Sequence, residues 1–186
     1  MKILIFSFLL IFESVWLAYI VVCLQKPGVQ FWPAPKDKTN RNYYLMIWFY
    51  LFLLGIIYLS ILESDNNLFE ITGLPIISSI LLILGLCLYF WCQLYLSKKQ
   101  GFGFTGSLIT TGPYRYIRNP IYVADTLIFL GYALLCNSTY LFIISIIVVT
   151  ILLLMPLIEE PWLKEQHGII YNEYFEKIPR FFPNLF

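Results

Sequence analysis

Hydrophobic residues fall into five long runs separated by polar segments, at about residues 3–24, 43–62, 74–96, 120–136 and 140–158. A helix rises 1.5 Å per residue, so roughly 20 apolar residues are needed to cross about 30 Å of hydrocarbon. Each run reaches or approaches that length. The pattern therefore predicts an all-α, polytopic membrane protein with about five transmembrane helices. Because the first run carries Glu13 and lacks a small-residue cleavage site, we expect it to be retained rather than removed as a signal peptide.

The polar segments carry charge unevenly. Most lysines and arginines lie in segments 25–42 and 97–119 and in the C-terminal tail, whereas the segment after the second run carries Glu63, Asp65 and Glu70. Five spans place the three basic segments on one face, which the positive-inside rule makes cytosolic. We therefore expect the N-terminus outside and any active site facing the cytosol, in a prokaryotic cytoplasmic membrane or the endoplasmic reticulum.

Composition excludes several classes of protein. With 60% hydrophobic and 12% charged residues, the chain is too apolar for a soluble domain. A net charge of +1 without a basic stripe gives no reason to expect nucleic acid as a partner. The four cysteines form no CxxC pair and His167 is the only histidine, so we expect no metal site.

Two segments fit neither a span nor a short loop. Residues 100–119 are rich in Gly, Thr and Tyr and lack helical periodicity. Residues 162–178 have apolar positions every three to four residues, which predicts an amphipathic helix lying on the membrane, with Pro161 ending the fifth helix before it. Irregular backbone near lipid must be buried in protein or line a cavity. We infer a cavity between the two segments, and divide the chain into membrane helices, 1–97, and a catalytic region, 98–186.

Residues 101–106, Gly-Phe-Gly-Phe-Thr-Gly, match the GxGxxG pattern of dinucleotide-binding proteins, and Asp125 follows about 20 residues later. That motif requires a preceding strand within a βαβ unit. Here it follows a membrane helix, so a flexible turn is the better interpretation.

Asn119 and Pro120 mark the start of the fourth helix, since Asn is a favoured N-cap and Pro a favoured first helical residue. The free N–H groups at such an end can hold a carboxylate. Arg115 and Arg118 lie just before it. These residues also fit a positive-inside anchor with interfacial tyrosines, and the pattern alone leaves both interpretations open.

Glu159 and Glu160 form an acidic pair at the predicted membrane edge. Two acids at a helix C-terminus oppose the helix dipole, and ionisable residues at this depth are candidates for function. The alternative is that both simply reach bulk water. Glu13 and Asp125 lie deeper in their runs, and Asp125 can face a cavity.

Two ordered motifs carry a family resemblance: GPYRYIRNPIY at 112–122, and EEPWLKEQHGIIYNEYFEKIPRF at 159–181 after a helical hairpin. They resemble the isoprenylcysteine carboxyl methyltransferase and phospholipid methyltransferase superfamily over about residues 108–182. The resemblance implies an enzyme that takes S-adenosylmethionine from the cytosol and a lipidic substrate from the bilayer, with a cytosolic cofactor-binding segment before the fourth helix.

The resemblance also implies site residues. Glu159 would hold the cofactor's ammonium group, and the other predicted cofactor-binding residues are Gln100, Ser107, Leu108, Ile109, Tyr114, Asn119, Pro120, Ile121 and Tyr122. The predicted catalytic residues are Arg118, Glu160 and Arg180.

This chain departs from the family pattern at two positions. Asn119 stands where a histidine is usual, and it cannot act as an acid or base near neutral pH. Met155 stands where eukaryotic prenylcysteine enzymes place a substrate-binding arginine. Recognition of a substrate carboxylate then falls to Arg118 or Arg180, or the substrate differs.

The predicted reaction is methyl esterification of a prenylcysteine-type carboxylate, with the bilayer and a prenylated cysteine as partners. A carboxylate is ionised at pH 7 and needs no general base, so the protein must supply positioning and exclusion of water. Ethanolamine headgroups, small thiols and other amines are alternative acceptors. A small transporter or a membrane scaffold is the non-enzymatic alternative, but polar residues concentrated at one face disfavour a transporter.

Overall fold

The computed structural model describes residues 1–26, 39–63, 69, 71–96 and 106–182, with the backbone alone for 39–43 and 46. Its elements in chain order are α1 (Lys2–Gln25), α2 (Thr39–Leu62), α3 (Leu74–Gln93), a 3₁₀ turn (Gly112–Arg115), α4 (Pro120–Cys136), α5 (Thr139–His167) and α6 (Ile169–Lys177).

Five of these helices are strongly apolar. By length and hydropathy α1, α3 and α5 can cross a membrane, and α4 and the Ile47–Leu62 part of α2 are shorter apolar helices. Within the described residues the chain is helical apart from turns and irregular segments. The prediction of an all-α, polytopic membrane protein is therefore confirmed.

A seam of small residues joins α3 to α4. A Cβ on Gly85 would lie 2.9 Å from the carbonyl oxygen of Ala124, and a Cβ on Gly131 would lie 2.7 Å from the backbone nitrogen of Leu82. Ser78, also buried, lies beside Gly131. Helices in lipid gain stability from close van der Waals packing, which small residues allow. The seam therefore fixes the depth of α4 and of the segment that precedes it.

Two apolar clusters pack α1, α2, α4 and α5 together. The larger cluster is built on Leu9, Phe52, Ile56, Leu59, Ala133, Leu141, Ile144 and Val148, with Phe12 and Phe129 packed against it. The smaller cluster is built on Ile20, Ile151 and Met155, with Trp16, Leu17 and Tyr122 packed against it. Since Tyr122 lies in the first turns of α4, the smaller cluster is the one near the Asn119 end of the bundle.

Polar contacts close the opposite end of the bundle. Glu63 is 1% exposed, and its two carboxylate oxygens lie 3.2 Å from Lys2 Nζ and 3.2 Å from Ser138 Oγ. The Ser138 hydroxyl also accepts the N–H of Leu141 and so caps α5. Asn137, in the left-handed region with φ 49°, makes the tight turn between α4 and α5.

The prediction that Pro161 ends the fifth helix was wrong. α5 continues through Pro156 and Pro161 to His167. A proline removes one backbone hydrogen bond, and membrane helices tolerate this where neighbouring groups satisfy the freed carbonyl. As a result Glu160 projects sideways from a continuous helix instead of terminating one.

The predicted single amphipathic helix over 162–178 was also wrong. The chain breaks at Gly168, whose φ of +56° favours glycine, and a separate α6 follows. In α6 Tyr171 and Tyr174 are buried against the protein, while Ile170 is exposed. The three-to-four spacing therefore spanned two helices whose apolar residues face different ways.

Candidate active site

A buried ion cluster joins α5, the segment before α4 (residues 106–119) and the tail that follows α6 (residues 178–182). Two of the three side-chain nitrogens of Arg180, Nε and Nη2, donate to Glu160, at 3.0 and 2.6 Å. Arg118 donates to the same carboxylate from Nε at 3.3 Å and Nη2 at 3.0 Å. The side chains of Arg118 and Glu160 are 8% and 6% exposed, and that of Arg180 is 33% exposed. We call Arg118, Glu160 and Arg180 the Glu160 clasp.

Arg118 is committed to the protein on several sides. Its Nη1 donates to the carbonyl oxygens of Phe175, at 2.7 Å, and Ile178. Its guanidinium carbon lies 4.1 Å from the centroid of the Phe175 ring, and Lys164 Nζ lies 3.8 Å from the same centroid. Cation–π contacts of this kind add to the charge-assisted hydrogen bonds. Arg118 therefore holds the tail and α6 against the segment before α4.

Neutral hydrogen bonds reinforce the same junction. The backbone N–H of Arg118 donates to Pro179 O at 2.8 Å, and that of Asn119 donates to Arg180 O at 3.1 Å. The Tyr174 hydroxyl donates to Tyr114 O at 2.6 Å. The segment before α4, α6 and the tail thus form one compact unit beside the C-terminal part of α5, which we call the tail unit.

Asn119 occupies the N-cap position of α4, as predicted, but its side chain makes no capping hydrogen bond. The residue is 8% exposed, and its Nδ2 has no hydrogen-bond partner within the described part of the chain. A buried unpaired donor costs about 1–3 kcal/mol. A ligand that presents an acceptor atom would satisfy Nδ2, and the adjacent helix N-terminus favours an anion such as a carboxylate. These residues therefore fit the amino-acid end of S-adenosylmethionine.

Tyr122 and Glu159 form a second pair beside the clasp. The Tyr122 hydroxyl is hydrogen-bonded to the Glu159 carboxylate, and Tyr114 and Asp125 act electrostatically on the same phenol. Both Tyr122 and Glu159 are half-buried. A carboxylate bordered by aromatic rings suits a cation, through charge and cation–π attraction. This pair fits the ammonium or sulfonium of the same cofactor.

The ionisable groups of the tail unit hold fixed charge states. Burial raises the pKa of Tyr114 and of Tyr174 well above the ordinary value of 10.0, so both phenols stay neutral. The hydrogen bonds from Arg180 to Glu160 raise the pKa of that guanidinium further. The unit therefore contributes neutral phenols and a permanent ion cluster, not a group that titrates near pH 7.

The remaining predicted cofactor residues lie on or next to the segment before α4. Ser107 is exposed and Leu108 and Ile109 are half-buried; Pro120 is buried and Ile121 half-buried at the start of α4. Gln100 lies outside the described residues, so its predicted contact stays a prediction. The cofactor and catalytic roles of all these residues likewise stay predictions.

Sequence reasoning missed Tyr174, Phe175 and Lys164, which support the clasp. The Tyr-x-x-Tyr of the C-terminal motif, Tyr171 and Tyr174, was the available signal. Its three-residue spacing places both phenols on one face of a helix. The sequence did not reveal that this face would meet Tyr114.

Comparison with known proteins identifies the family of this chain. The model of the phospholipid methyltransferase family matches residues 70–169. The chain is 30% identical over 97 residues to the nickel-cobalt-cadmium resistance protein NccN of Alcaligenes xylosoxydans xylosoxydans, covering 51% of this chain and 43% of that protein. It is 31% identical over 98 residues to the cobalt-zinc-cadmium resistance protein CzcN of Cupriavidus metallidurans, covering 51% and 42%. The match thus spans less than half of each relative's length.

The family model matches just over half of the residues of this chain. The chain therefore belongs to the phospholipid methyltransferase family.

Proposed function

We propose that the chain is an S-adenosylmethionine-dependent methyltransferase that acts on a lipid-anchored acceptor at the cytosolic edge of the membrane. The observation that carries the proposal is the buried Asn119 Nδ2 at the N-terminus of α4, which has no hydrogen-bond partner among the described residues. It lies on the helix that also carries Tyr122, whose hydroxyl bonds Glu159 of α5. Membership of the phospholipid methyltransferase family supports it. The charge distribution of the loops supports the cytosolic orientation.

When bound, S-adenosylmethionine supplies an electrophilic methyl group on a sulfonium. In the proposal Asn119 Nδ2 and the first N–H groups of α4 hold its carboxylate, and Glu159 holds its ammonium. Tyr114 and Tyr122 present ring faces that favour positive charge, worth about 0.5–2 kcal/mol. The tail unit excludes water from this end of the bundle, which strengthens each of these interactions.

The proposed acceptor is the carboxylate of an isoprenylcysteine or a similar lipid-linked group. Arg180 is the cation best suited to orient it, because Arg180 is 33% exposed and only its Nε and Nη2 bond Glu160. Its Nη1 keeps donors that no described residue takes. Arg118 is buried and bonded through all three nitrogens, so its role is to position the clasp. An ionised carboxylate requires no general base.

A phospholipid amine is the second candidate acceptor, and the description of the matched family favours it. An ethanolamine headgroup must lose a proton before or during methyl transfer. A carboxylate of this chain would have to accept that proton. The acceptor panel described below separates the two candidates.

The names of the two relatives refer to resistance against metal ions. Within the described residues no group of three or more His, Cys, Asp or Glu side chains could hold a metal ion. We propose no metal-binding function for this chain. The resistance named for the two relatives is stated of those proteins alone.

Calorimetry of the purified protein with S-adenosylmethionine tests the cofactor. We expect the wild type to bind and Glu159→Gln to lose most of its affinity, because the ammonium loses its counter-charge. Asn119→Leu should also weaken binding. Glu165→Gln is the matched control, since Glu165 lies on the same helix and is exposed. Absence of binding by the wild type in detergent and in lipid would refute the proposed function.

Transfer of a labelled methyl group to N-acetyl-S-farnesylcysteine and to phosphatidylethanolamine tests the acceptor. We expect Arg180→Gln to raise KM for the carboxylate acceptor about tenfold, as loss of one charge-assisted hydrogen bond predicts. Affinity for the cofactor should not change. Labelling of phosphatidylethanolamine alone would replace the carboxylate proposal with the amine.

A further inference from the structure

Glu13 lies in the middle of α1, away from the site described above. It is 6% exposed, and no hydrogen bond or ion pair joins it to any described residue. Leu9 and Ile20, one and two turns away on the same face, are also buried, so this face points into the bundle. On α1 the larger apolar cluster includes Phe12 and the smaller begins at Trp16. Glu13 therefore lies at the junction of the two clusters.

Thr126 on α4 occupies the corresponding junction. Tyr122, one turn before it, packs in the smaller cluster, and Phe129, one turn after it, packs against the larger. The Oγ1 of Thr126 is buried and has no hydrogen-bond partner among the described residues. A helical threonine can donate to the carbonyl one turn earlier, as Thr150 does to Ile146 at 2.8 Å. Thr126 does not, so its hydroxyl stays free for another group.

Glu13 and Thr126 thus lie at the same depth, on two helices that both pack against α5. Burial of an unpaired carboxyl and an unpaired hydroxyl among apolar side chains is costly. Thr126 is one helical turn from Tyr122, whose hydroxyl bonds Glu159. The two unpaired groups are therefore one turn deeper in the membrane than the proposed cofactor pair.

An apolar groove between α1 and α2 borders this level. It is lined by Phe8, Leu9, Phe12, Trp48, Leu51 and Phe52. Phe8, Trp48 and Leu51 are at least half exposed, so the groove opens to the surrounding lipid. A lipid tail in the groove would bring the polar part of its molecule to the level of Glu13.

The family match begins at residue 70, so α1 lies outside it. The part of the chain shared with the family does not account for an acid in α1. A role particular to this chain, such as recognition of its acceptor, fits an acid in this helix.

We propose that Glu13 and Thr126 form a hydrogen-bonding subsite, inside the bundle, for an N–H group of the lipid-anchored acceptor. The inference rests on the proposed function and adds the part of the acceptor that is recognised. A carboxyl and a hydroxyl oxygen both accept from N–H, and charge-assisted bonds from nitrogen to a carboxylate are the stronger kind. The amide of a prenylcysteine and the ammonium of an ethanolamine lipid share this chemistry.

Three acceptors separate the sources of the N–H group: N-acetyl-S-farnesylcysteine, its nitrogen-free analogue S-farnesyl-3-thiopropionate, and phosphatidylethanolamine. Binding to the purified protein and transfer of labelled methyl are measured for the wild type, Glu13→Gln and Thr126→Val. Thr150→Val is the control, since Thr150 is exposed on α5. We expect Glu13→Gln to weaken binding of a nitrogen-bearing acceptor about tenfold, the effect of losing one charge-assisted bond, and to leave the nitrogen-free analogue within about twofold.

Glu13→Gln should also unfold at the wild-type temperature or above it, because Glu13 has no described partner to lose. Equal weakening of all three acceptors, no weakening of any, or a lowered unfolding temperature would each overturn the subsite. Failure of the wild type to bind S-adenosylmethionine would instead refute the proposed function. The binding measurements would still decide whether Glu13 recognises an N–H group.

Discussion

Replacing Glu160 by glutamine removes the only carboxylate that joins Arg118 to Arg180 among the described residues. Arg180 is one-third exposed and can return to water. The Arg118 side chain is 8% exposed and cannot, so its charge stays buried without an anion. Removing one partner of a buried ion pair costs about 3–5 kcal/mol. Because Arg118 keeps two carbonyl acceptors and the ring of Phe175, we expect the lower end of that range.

The measurement is thermal unfolding of the purified protein, followed by tryptophan fluorescence. A loss of about 3 kcal/mol lowers the midpoint by about 6–12 °C in a chain of this size, at about 2–4 °C per kcal/mol. Glu165→Gln, which changes an exposed acid on the same helix, should stay within about 1 °C, as is usual for surface changes.

A double variant separates the charge effect from general damage. Glu160→Gln combined with Arg118→Met removes the buried cation together with its partner. Replacing a whole buried pair by apolar groups is often neutral, so we expect the double variant to recover part of the lost midpoint. The proposed energetic role of the clasp would be incorrect if Glu160→Gln unfolded at the same temperature as Glu165→Gln. It would also be incorrect if adding Arg118→Met to Glu160→Gln did not raise the unfolding midpoint.

Three further predictions use the same unfolding measurement. Gly85→Ala should cost about 1–3 kcal/mol, because the new Cβ would lie 2.9 Å from the backbone of α4. Gly73→Ala is the control and should cost little, since its Cβ would meet nothing within 4 Å. Equal midpoints for the two variants would contradict close packing of α3 on α4 at Gly85. Above about pH 10 the wild type should lose stability, because burial raises the pKa of Tyr174 in the folded protein and the phenol therefore ionises first in the unfolded chain. Tyr174→Phe should reduce this pH dependence and cost about 1 kcal/mol through the lost hydrogen bond to Tyr114. An unchanged pH profile would contradict this role of Tyr174. Lys2→Gln should cost about 1–2 kcal/mol, because the buried Glu63 carboxylate loses the ammonium of Lys2. This value is below that for a fully buried ion pair because the Lys2 side chain is 44% exposed; a wild-type midpoint would refute the prediction.

Hydropathy alone located all five apolar helices, because a bilayer demands about 20 apolar residues and satisfies no backbone group. The start of α4 at Pro120 followed from Asn119-Pro120, a local signal that needs no tertiary contact. The end of α5 did not follow from Pro161. Helix continuation past a proline depends on what packs beside it, and that information lies outside the local sequence.

The sequence by itself determined that the chain is helical and membrane-embedded, and its two C-terminal motifs predicted which residues form a site. Only the tertiary structure decided how those residues pair. Glu159 and Glu160 are neighbours in the chain, yet one is bonded by Tyr122 and the other by two arginines. Adjacent residues on a helix point about 100° apart, so their partners come from different elements. Which elements those are depends on the packing of α4, α5 and the tail, and no local pattern encodes it.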